Sequence, residues 1–132
     1  MIYITQLIYI KDNEELVFQQ FENIAIPIIS KYNGQLLLRI RPEESSIIEM
    51  NIERPYEIHI VQFDTDINFQ NFMHDEDRKQ FLHLKEQSIK SAILIKGEKL
   101  WQWSNLKTQS TYNLLIQEVN FDILKRKSGT WG

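Results

Sequence analysis

The chain lacks cysteine altogether and contains only four glycines and three prolines among its 132 residues. Without cysteine it has no disulfide, no thiolate nucleophile and no zinc–thiolate site. With so few glycines it also has no glycine-rich loop of the kind that cradles phosphates. These absences exclude several common classes of enzyme and metal-binding protein.

The chain also lacks an excess of one charge and any long apolar run. It has 15 basic and 18 acidic residues, a formal net charge of -3, and charges of both signs interspersed along the sequence. A nucleic-acid partner is not expected, because such proteins present a basic face or stretch. A membrane helix needs about 18 apolar residues in succession, and the apolar start lacks a basic leading region. We therefore expect a cytoplasmic protein with no membrane association.

Apolar residues make up 42% of the chain, and their spacing predicts one folded domain followed by an extension. Alternating apolar residues predict strands over 2–10, 36–41, 56–63 and 92–96. Helical spacing predicts a first helix over 13–32. The pair Asp12 and Glu15 resembles a capping box at its start, Pro27 predicts a kink, and Asn33-Gly34 ends it.

A second helical region is predicted between the third and fourth strands, with Thr65 or Asp66 as one N-cap and Asp75 as another. The resulting order, β-α-β-β-α-β over residues 1–98, predicts an α+β ferredoxin-like plait with a four-stranded antiparallel sheet. Residues 99–132 are interpreted as a C-terminal extension packed on the domain or on its dimer mate. A helix over 111–127 is predicted there, with a strand over 112–121 as the alternative.

In such a plait the helices cover one face of the sheet. The predicted covered face comprises Ile2, Ile4, Ile8, Ile10, Leu36, Leu38, Ile40, Ile58, Ile60, Ile93 and Ile95. The predicted opposite face comprises Tyr3, Thr5, Leu7, Tyr9, Leu37, Arg39, Arg41, Glu57, His59, Val61, Phe63, Ala92, Leu94 and Lys96. That second face carries too many large apolar residues to be bare. Its cover is predicted to be a second copy of the chain, giving a homodimer, or the chain's own extension.

Four segments carry a resemblance to a known family, namely MIYITQLIYIKD, RIRPEE, RPYEIHIVQF and FMHDEDRKQF. Over about residues 1–98 the chain resembles the bacterial domain of unknown function family 1330, in the dimeric α+β barrel superfamily. The resemblance implies the plait and a dimer. The superfamily includes cofactor-free monooxygenases as well as binding proteins, so the resemblance assigns no catalytic residue.

Polar residues of the second face form the predicted ligand site. The ligand-binding candidates are Tyr3, Thr5, Tyr9, Arg39, Arg41, Glu57, His59 and Lys96. His59 is the candidate acid or base, and Arg39 with Arg41 would clamp an anionic group. The alternative interpretation is structural: Glu57 pairs with Arg39 or Arg41, and His59 is a hydrogen-bonded interface residue.

The predicted function is small-molecule binding by a homodimer. The alternative is a cofactor-independent enzyme, monooxygenase-like or isomerase-like, acting on a small anionic or phenolic substrate. No cofactor is expected. No metal is expected either, because helix capping by Asp75 explains the cluster that contains His74 and His83. The three tryptophans, Trp101, Trp103 and Trp131, are interpreted as packing residues of the extension.

Overall fold

The computed structural model describes residues 1–100, and residues Met1–Lys99 form one compact unit. The strands are β1 (Ile2–Ile10), β2 (Gly34–Ile40), β3 (Glu57–Phe63) and β4 (Ile89–Gly97). The helices are α1 (Glu15–Ile28), α2 (Asp66–Met73), α3 (Glu76–Gln80) and α4 (Leu82–Ser88), with 3-10 turns at Ile29–Tyr32 and Glu44–Ser46. The predicted element order is confirmed, although the second helical region consists of three short helices.

The four strands form one sheet in the order β2-β3-β1-β4, and every neighbouring pair is antiparallel. The two central strands, β1 and β3, are therefore not joined by a hairpin but by a connection that passes through α1 and β2. This is the split βαβ arrangement of a plait. The helices pack on one face, here called the covered face, and the opposite side of the sheet is the open face.

The ends of the helices confirm some of the predicted caps and contradict one. Thr65 accepts a hydrogen bond from the backbone N–H of Asn68, and Asp75 accepts one from that of Arg78, so both predicted caps are confirmed. The capping box at Asp12 was wrong, because the N-cap is Glu14 and it makes no side-chain capping bond. The chain leaves the first helical segment through Asn33, which adopts the left-handed conformation with φ 55°.

Gly34 follows Asn33 and opens β2 at a crowded point of the core. A Cβ atom there would lie 2.7 Å from Ile29 Cγ2 and 2.7 Å from Phe63 Cε1. A side chain at this position would overlap its neighbours. The glycine is therefore needed for close packing, while the left-handed conformation belongs to the residue before it.

The main apolar core lies between the sheet and the helices. Its buried cluster comprises Ile2, Ile4, Ile29, Val61, Phe63 and Phe69. The Phe63 ring lies 5.5 Å from the ring of Phe69 and 5.5 Å from that of Phe72, which ties α2 to β3. Aromatic contacts of this kind add to the free energy gained by burial alone.

The predicted faces are confirmed on β1 but wrong on β3. Ile2 is paired with Phe63 and Ile4 with Val61, and directly opposed residues of antiparallel strands share a face. The same register places Glu57 and His59 on the covered face, where they are 1% and 3% exposed. Ile58 and Ile60 consequently lie on the open face.

The prediction was also wrong on β4 and on most of β2. Ile93 and Ile95 pair with Leu7 and Thr5 of the open face, so Ala92, Leu94 and Lys96 belong to the covered side. In β2 a bulge between Leu36 and Leu38 reverses the alternation. Leu36 stays on the covered face, Leu38 and Ile40 turn to the open face, and Arg39 turns inward.

Within residues 1–100 no helix is long and apolar enough to cross a membrane. The predicted helix over 111–127, its strand alternative and the three tryptophans lie outside the described residues. The predicted division of the chain near residue 98 remains a prediction.

Candidate functional site

Glu57, the first residue of β3, is the buried anchor of a polar cluster on the covered face. Its Oε2 accepts a hydrogen bond from Arg39 Nε at 3.0 Å, and its Oε1 accepts one from Arg41 Nε at 3.0 Å. Burial alone would raise the pKa of Glu57, but hydrogen bonds from His59, Arg39 and Arg41 outweigh burial and lower it to about 2. Glu57 is therefore a carboxylate at neutral pH.

Both arginines owe their position to the bulge in β2, which turns them toward α1. Arg39 Nη2 donates to Gln19 Oε1 at 3.2 Å, and Arg41 Nη2 donates to the same oxygen at 2.9 Å. The guanidinium of Arg41 also lies over the Tyr56 ring, 4.9 Å from its centroid. These contacts hold the two cations beside Glu57.

His59 lies two residues along β3 and connects Glu57 to α1. Its Nε2 is hydrogen-bonded to Glu57 Oε2, and its Nδ1 lies 3.9 Å from Glu22 Oε2. Because a carboxylate can only accept, Nε2 carries the proton in the neutral ring. The lone pair of Nδ1 then faces Glu22. Burial raises the pKa of Glu22, which favours its protonated form.

Glu22, Glu57 and His59 form a buried row able to hold and move a proton. Their ligand-type atoms lie within 4.8 Å of one another, so the row is also the one described group that could hold a metal ion. Both oxygens of Glu57, however, already accept from arginines, whose charge opposes a cation nearby. The donor set fits a proton relay better than a metal centre.

Glu22 and His59 of this row form part of the wall of a cavity of about 160 Å³ between the sheet and the helices, here called the central cavity. Its apolar lining includes Ile4, Ile8, Phe21, Ala25, Ile26, Ile29, Val61, Phe63, Phe69, Phe72, Met73, Ile89, Ala92 and Leu94. Its polar lining consists of Gln6, Glu22, His59, Arg78 and Lys85. Ala92 and Leu94 are themselves exposed, so the cavity opens along β4.

Arg78 of α3 lines the cavity and is only 6% exposed. Its guanidinium lies 5.9 Å from the Phe21 ring centroid and 5.3 Å from that of Phe72, and its Nη1 donates to the backbone oxygen of Met73 at 3.2 Å. Its Nε is buried without a hydrogen-bond partner among residues 1–100. Burial lowers the pKa of Arg78 and also that of Lys85 on α4.

Four of the eight predicted ligand-binding residues, Arg39, Arg41, Glu57 and His59, come together in this cluster. The ion pairs of the structural interpretation are confirmed, because Glu57 pairs with both arginines. Their predicted place on a face shared with a second copy was wrong, because the register of β3 turns them under the helices. Their binding of a ligand remains a prediction.

The other four candidates lie apart from the cluster. Tyr3 and Thr5 are on the open face, opposite Gln62 and Ile60. The Tyr9 hydroxyl donates to the backbone oxygen of Glu53 at 2.7 Å. Lys96 lies on the covered side and donates to Asp66 Oδ1 at 2.9 Å. None of these four lines the central cavity.

Sequence reasoning missed the polar residues that the helices bring to the cavity, namely Glu22, Arg78 and Lys85. Glu22 carried a usable signal, because it lies four residues after Phe18 and three before Ala25, on the buried side of α1. Near Arg78, the capping interpretation of Asp75 is confirmed. Asp75 Oδ2 also accepts from Tyr32 and Lys31.

Comparisons with solved structures agree with the topology. A dimeric protein of unknown function from Bacteroides fragilis, described as having a ferredoxin-like fold, superposes with a TM-score of 0.56 at 10% identity, over 74% of this chain and 95% of that one. A DABB family protein from Mesorhizobium loti, also described as ferredoxin-like, gives 0.55 at 16% identity, over 76% and 97%. The chain has a ferredoxin-like fold.

A NIPSNAP family protein of unknown function from Agrobacterium tumefaciens likewise superposes with a TM-score of 0.54 at 19% identity, over 76% of this chain and 91% of that one. No family model and no curated protein matches the sequence. At these identities the similarity shows the ferredoxin-like fold of the chain, and the function has to be argued from the site.

Proposed function

We propose that this ferredoxin-like protein binds a small, mainly apolar molecule in the central cavity. The observation that carries the proposal is the lining, which is largely aliphatic and aromatic with a few polar groups that converge on it. Binding sites for small molecules are typically built in this way. The covered face of the sheet forms one wall of this cavity, whereas the sequence predicted a site on the opposite face.

Filling the mouth of the cavity tests this proposal. Ala92→Leu adds three carbon atoms at an exposed position of the lining and is expected to weaken the binding of neutral probes such as indole and benzyl alcohol by about tenfold. Ligand-observed NMR titration of the full chain measures the dissociation constants.

Ser91→Leu is the matched control, because Ser91 pairs with Tyr9 next to Ala92 but does not line the cavity. It should bind the probes as the unsubstituted protein does. The proposal fails if neither probe binds the unsubstituted protein, or if both substitutions have the same effect.

A second candidate function is proton-transfer catalysis without a cofactor, isomerase-like in type. The specific observation is the row in which Glu57 fixes His59 and His59 Nδ1 faces Glu22 at the cavity wall. His59 Nδ1 would remove a proton from an acidic C–H or O–H group of a bound substrate and return it to a different atom of that substrate. Glu22, when protonated, would donate a hydrogen bond to the charge that develops.

Tautomerisation of phenylpyruvate is a direct test, because it needs one proton moved and no other reactant. The protein is expected to accelerate the loss of enol absorbance, and His59→Gln to remove about 10²-fold of that acceleration. His74→Gln, at an exposed histidine, should leave the rate unchanged. Equal rates in the two variants, or no acceleration by the unsubstituted protein, would rule the candidate out.

We propose further that the partner of this chain is a second copy of itself, bound through the open face. That face carries apolar side chains on all four strands: Leu7, Leu38, Ile40, Ile58, Ile60, Ile93 and Ile95. Leu38, Ile40, Ile93 and Ile95 are 41%, 42%, 42% and 53% exposed in the single chain. Contiguous apolar surface of this kind marks an interface, and a twofold pair is the commonest assembly.

The Bacteroides neighbour is described as dimeric, which supports self-association. Membership in the domain of unknown function family 1330 and in the dimeric α+β barrel superfamily is part of this proposal. It rests on the resemblance of residues 1–98 together with the ferredoxin-like fold. The decisive measurement concerns the open face and is described in the Discussion.

A further inference from the structure

We infer that the molecule bound in the central cavity is a small organic anion, a carboxylate in the simplest case, whose acidic group is held by Arg78 and Lys85. The inference rests on the proposed binding function and adds the chemical class of the ligand. It starts from a cation that is buried without a matching anion.

Arg78 has no carboxylate oxygen within 4.0 Å of its guanidinium in the part of the chain that the structure describes. Asp75 is near, but its Oδ1 accepts from the backbone N–H of Arg78 rather than the guanidinium, and its Oδ2 accepts from Tyr32 and Lys31. An arginine keeps its charge when buried, and a buried unpaired charge is costly. A bound anion would offset that cost.

The position of the guanidinium suits a ligand rather than a purely structural role. The Phe21 and Phe72 rings lie near it, and one bond from Nη1 to Met73 fixes its orientation, yet Nε is buried without a hydrogen-bond partner among the described residues. Because Arg78 lines the cavity, a carboxylate bound there would lie against the guanidinium and accept a charge-assisted hydrogen bond from it. The bond to Met73 accounts for the placement of Nη1 but not for the free Nε.

Lys85 places a second cation at the same cavity. It reaches the lining from α4 and is half-buried, and burial together with the nearby Arg78 lowers its pKa. Two like charges at one desolvated wall repel each other, and an anion between them removes that repulsion. Glu22, the one carboxyl group in the lining, lies near both cations, but burial raises its pKa and so weakens it as their counter-ion.

The apolar remainder of the cavity defines the rest of the ligand. Its aliphatic and aromatic walls and its volume of about 160 Å³ suit a short hydrocarbon or a single ring attached to the acidic group. Benzoate and hexanoate are therefore suitable probes. Benzamide and hexanamide have nearly the same shapes and carry no charge.

Isothermal titration of the full chain with these four probes tests the inference. Each carboxylate is expected to bind at least about tenfold more tightly than its amide, since the amide forms no charge-assisted hydrogen bond. Arg78→Met and Lys85→Met should each reduce this preference. Lys79→Met, which removes a charge next to Arg78 but outside the cavity lining, should keep the preference.

The outcomes separate the two proposals. Amides and carboxylates that bind equally well would overturn the assignment of an anion and leave the cavity as the binding site. If none of the four binds, both the anion and the binding function are contradicted. The comparison of probes on the unsubstituted protein does not depend on variants, and Lys85→Met covers the case in which Arg78→Met does not fold.

Discussion

Glu57→Gln is expected to lower the free energy of unfolding by about 3 kcal/mol, because it removes the buried charge that pairs with Arg39, Arg41 and His59. Glu57 is 1% exposed and accepts hydrogen bonds from Arg39, Arg41 and His59. Glutamine keeps the shape but offers one acceptor oxygen and no charge. Urea unfolding at neutral pH, followed by circular dichroism, measures the loss.

Glu53→Gln is the matched control, since Glu53 forms an exposed pair with Lys90 at 3.2 Å. Exposed pairs contribute at most about 1 kcal/mol, so this variant should be nearly as stable as the unsubstituted protein. If Glu57→Gln costs no more than Glu53→Gln, Glu57 does not anchor the cluster.

The stabilisation of the folded state by Glu57 should decrease at acidic pH. The pKa of Glu57 is lowered to about 2 from an ordinary value of 4.5. Because its pKa is lowered in the folded state, ionised Glu57 contributes its full stabilisation above pH 4.5. That stabilisation is lost as the pH falls from 4.5 to about 2. The acid limb of the stability curve should therefore be shallower in Glu57→Gln. It should not vanish, because the pKa of Asp75 is also lowered to about 2.

The element order of the fold could be predicted from the sequence because its signals are local. Apolar alternation marked β1 and β3, and the caps at Thr65 and Asp75 marked the starts of α2 and α3. Local signals need only neighbouring residues, which a single sequence contains. The same reasoning failed at Asp12, where the capping pattern is present but the helix begins after Glu14.

The faces of β3 could not be predicted because both of its sides are rich in apolar residues. Ile58 and Ile60 are more hydrophobic than Glu57 and His59, so hydrophobicity alone assigns the two isoleucines to the covered face, which is wrong. The orientation of β3 is set by non-local pairing, because Val61 and Phe63 pair with Ile4 and Ile2 of β1 on the covered face. The buried charge of Glu57 is stabilised by ion pairs with Arg39 and Arg41, which the bulge in β2 places beside it.

Only the part of the candidate site that lies in the sheet could be predicted from the sequence. Arg39, Arg41, Glu57 and His59 are close in the sheet and could be grouped by alternation and strand pairing. Glu22, Arg78 and Lys85 reach the cavity from three different helices, and no spacing rule connects them. A cavity between layers depends on tertiary packing, which the sequence pattern alone does not specify.

Ile60→Lys is expected to convert the proposed homodimer into a monomer, raising its dissociation constant by at least about 100-fold. Ile60 lies on β3 in the middle of the open face, opposite Thr5 on one side and Leu38 on the other. In a twofold interface the substitution occurs twice, so two ammonium groups would be buried against apolar side chains. Sedimentation velocity at protein concentrations between about 1 and 100 μM measures the dissociation constant of the dimer.

Gln20→Lys adds the same charge at an exposed position of α1 and should remain dimeric. The urea midpoint of Ile60→Lys, measured alongside, distinguishes loss of the interface from loss of the fold. Because the central cavity lies on the other side of the sheet, the Ile60→Lys monomer should still bind the cavity probes. An unsubstituted chain that is monomeric throughout would contradict the proposed homodimer, while the cavity proposal would stand.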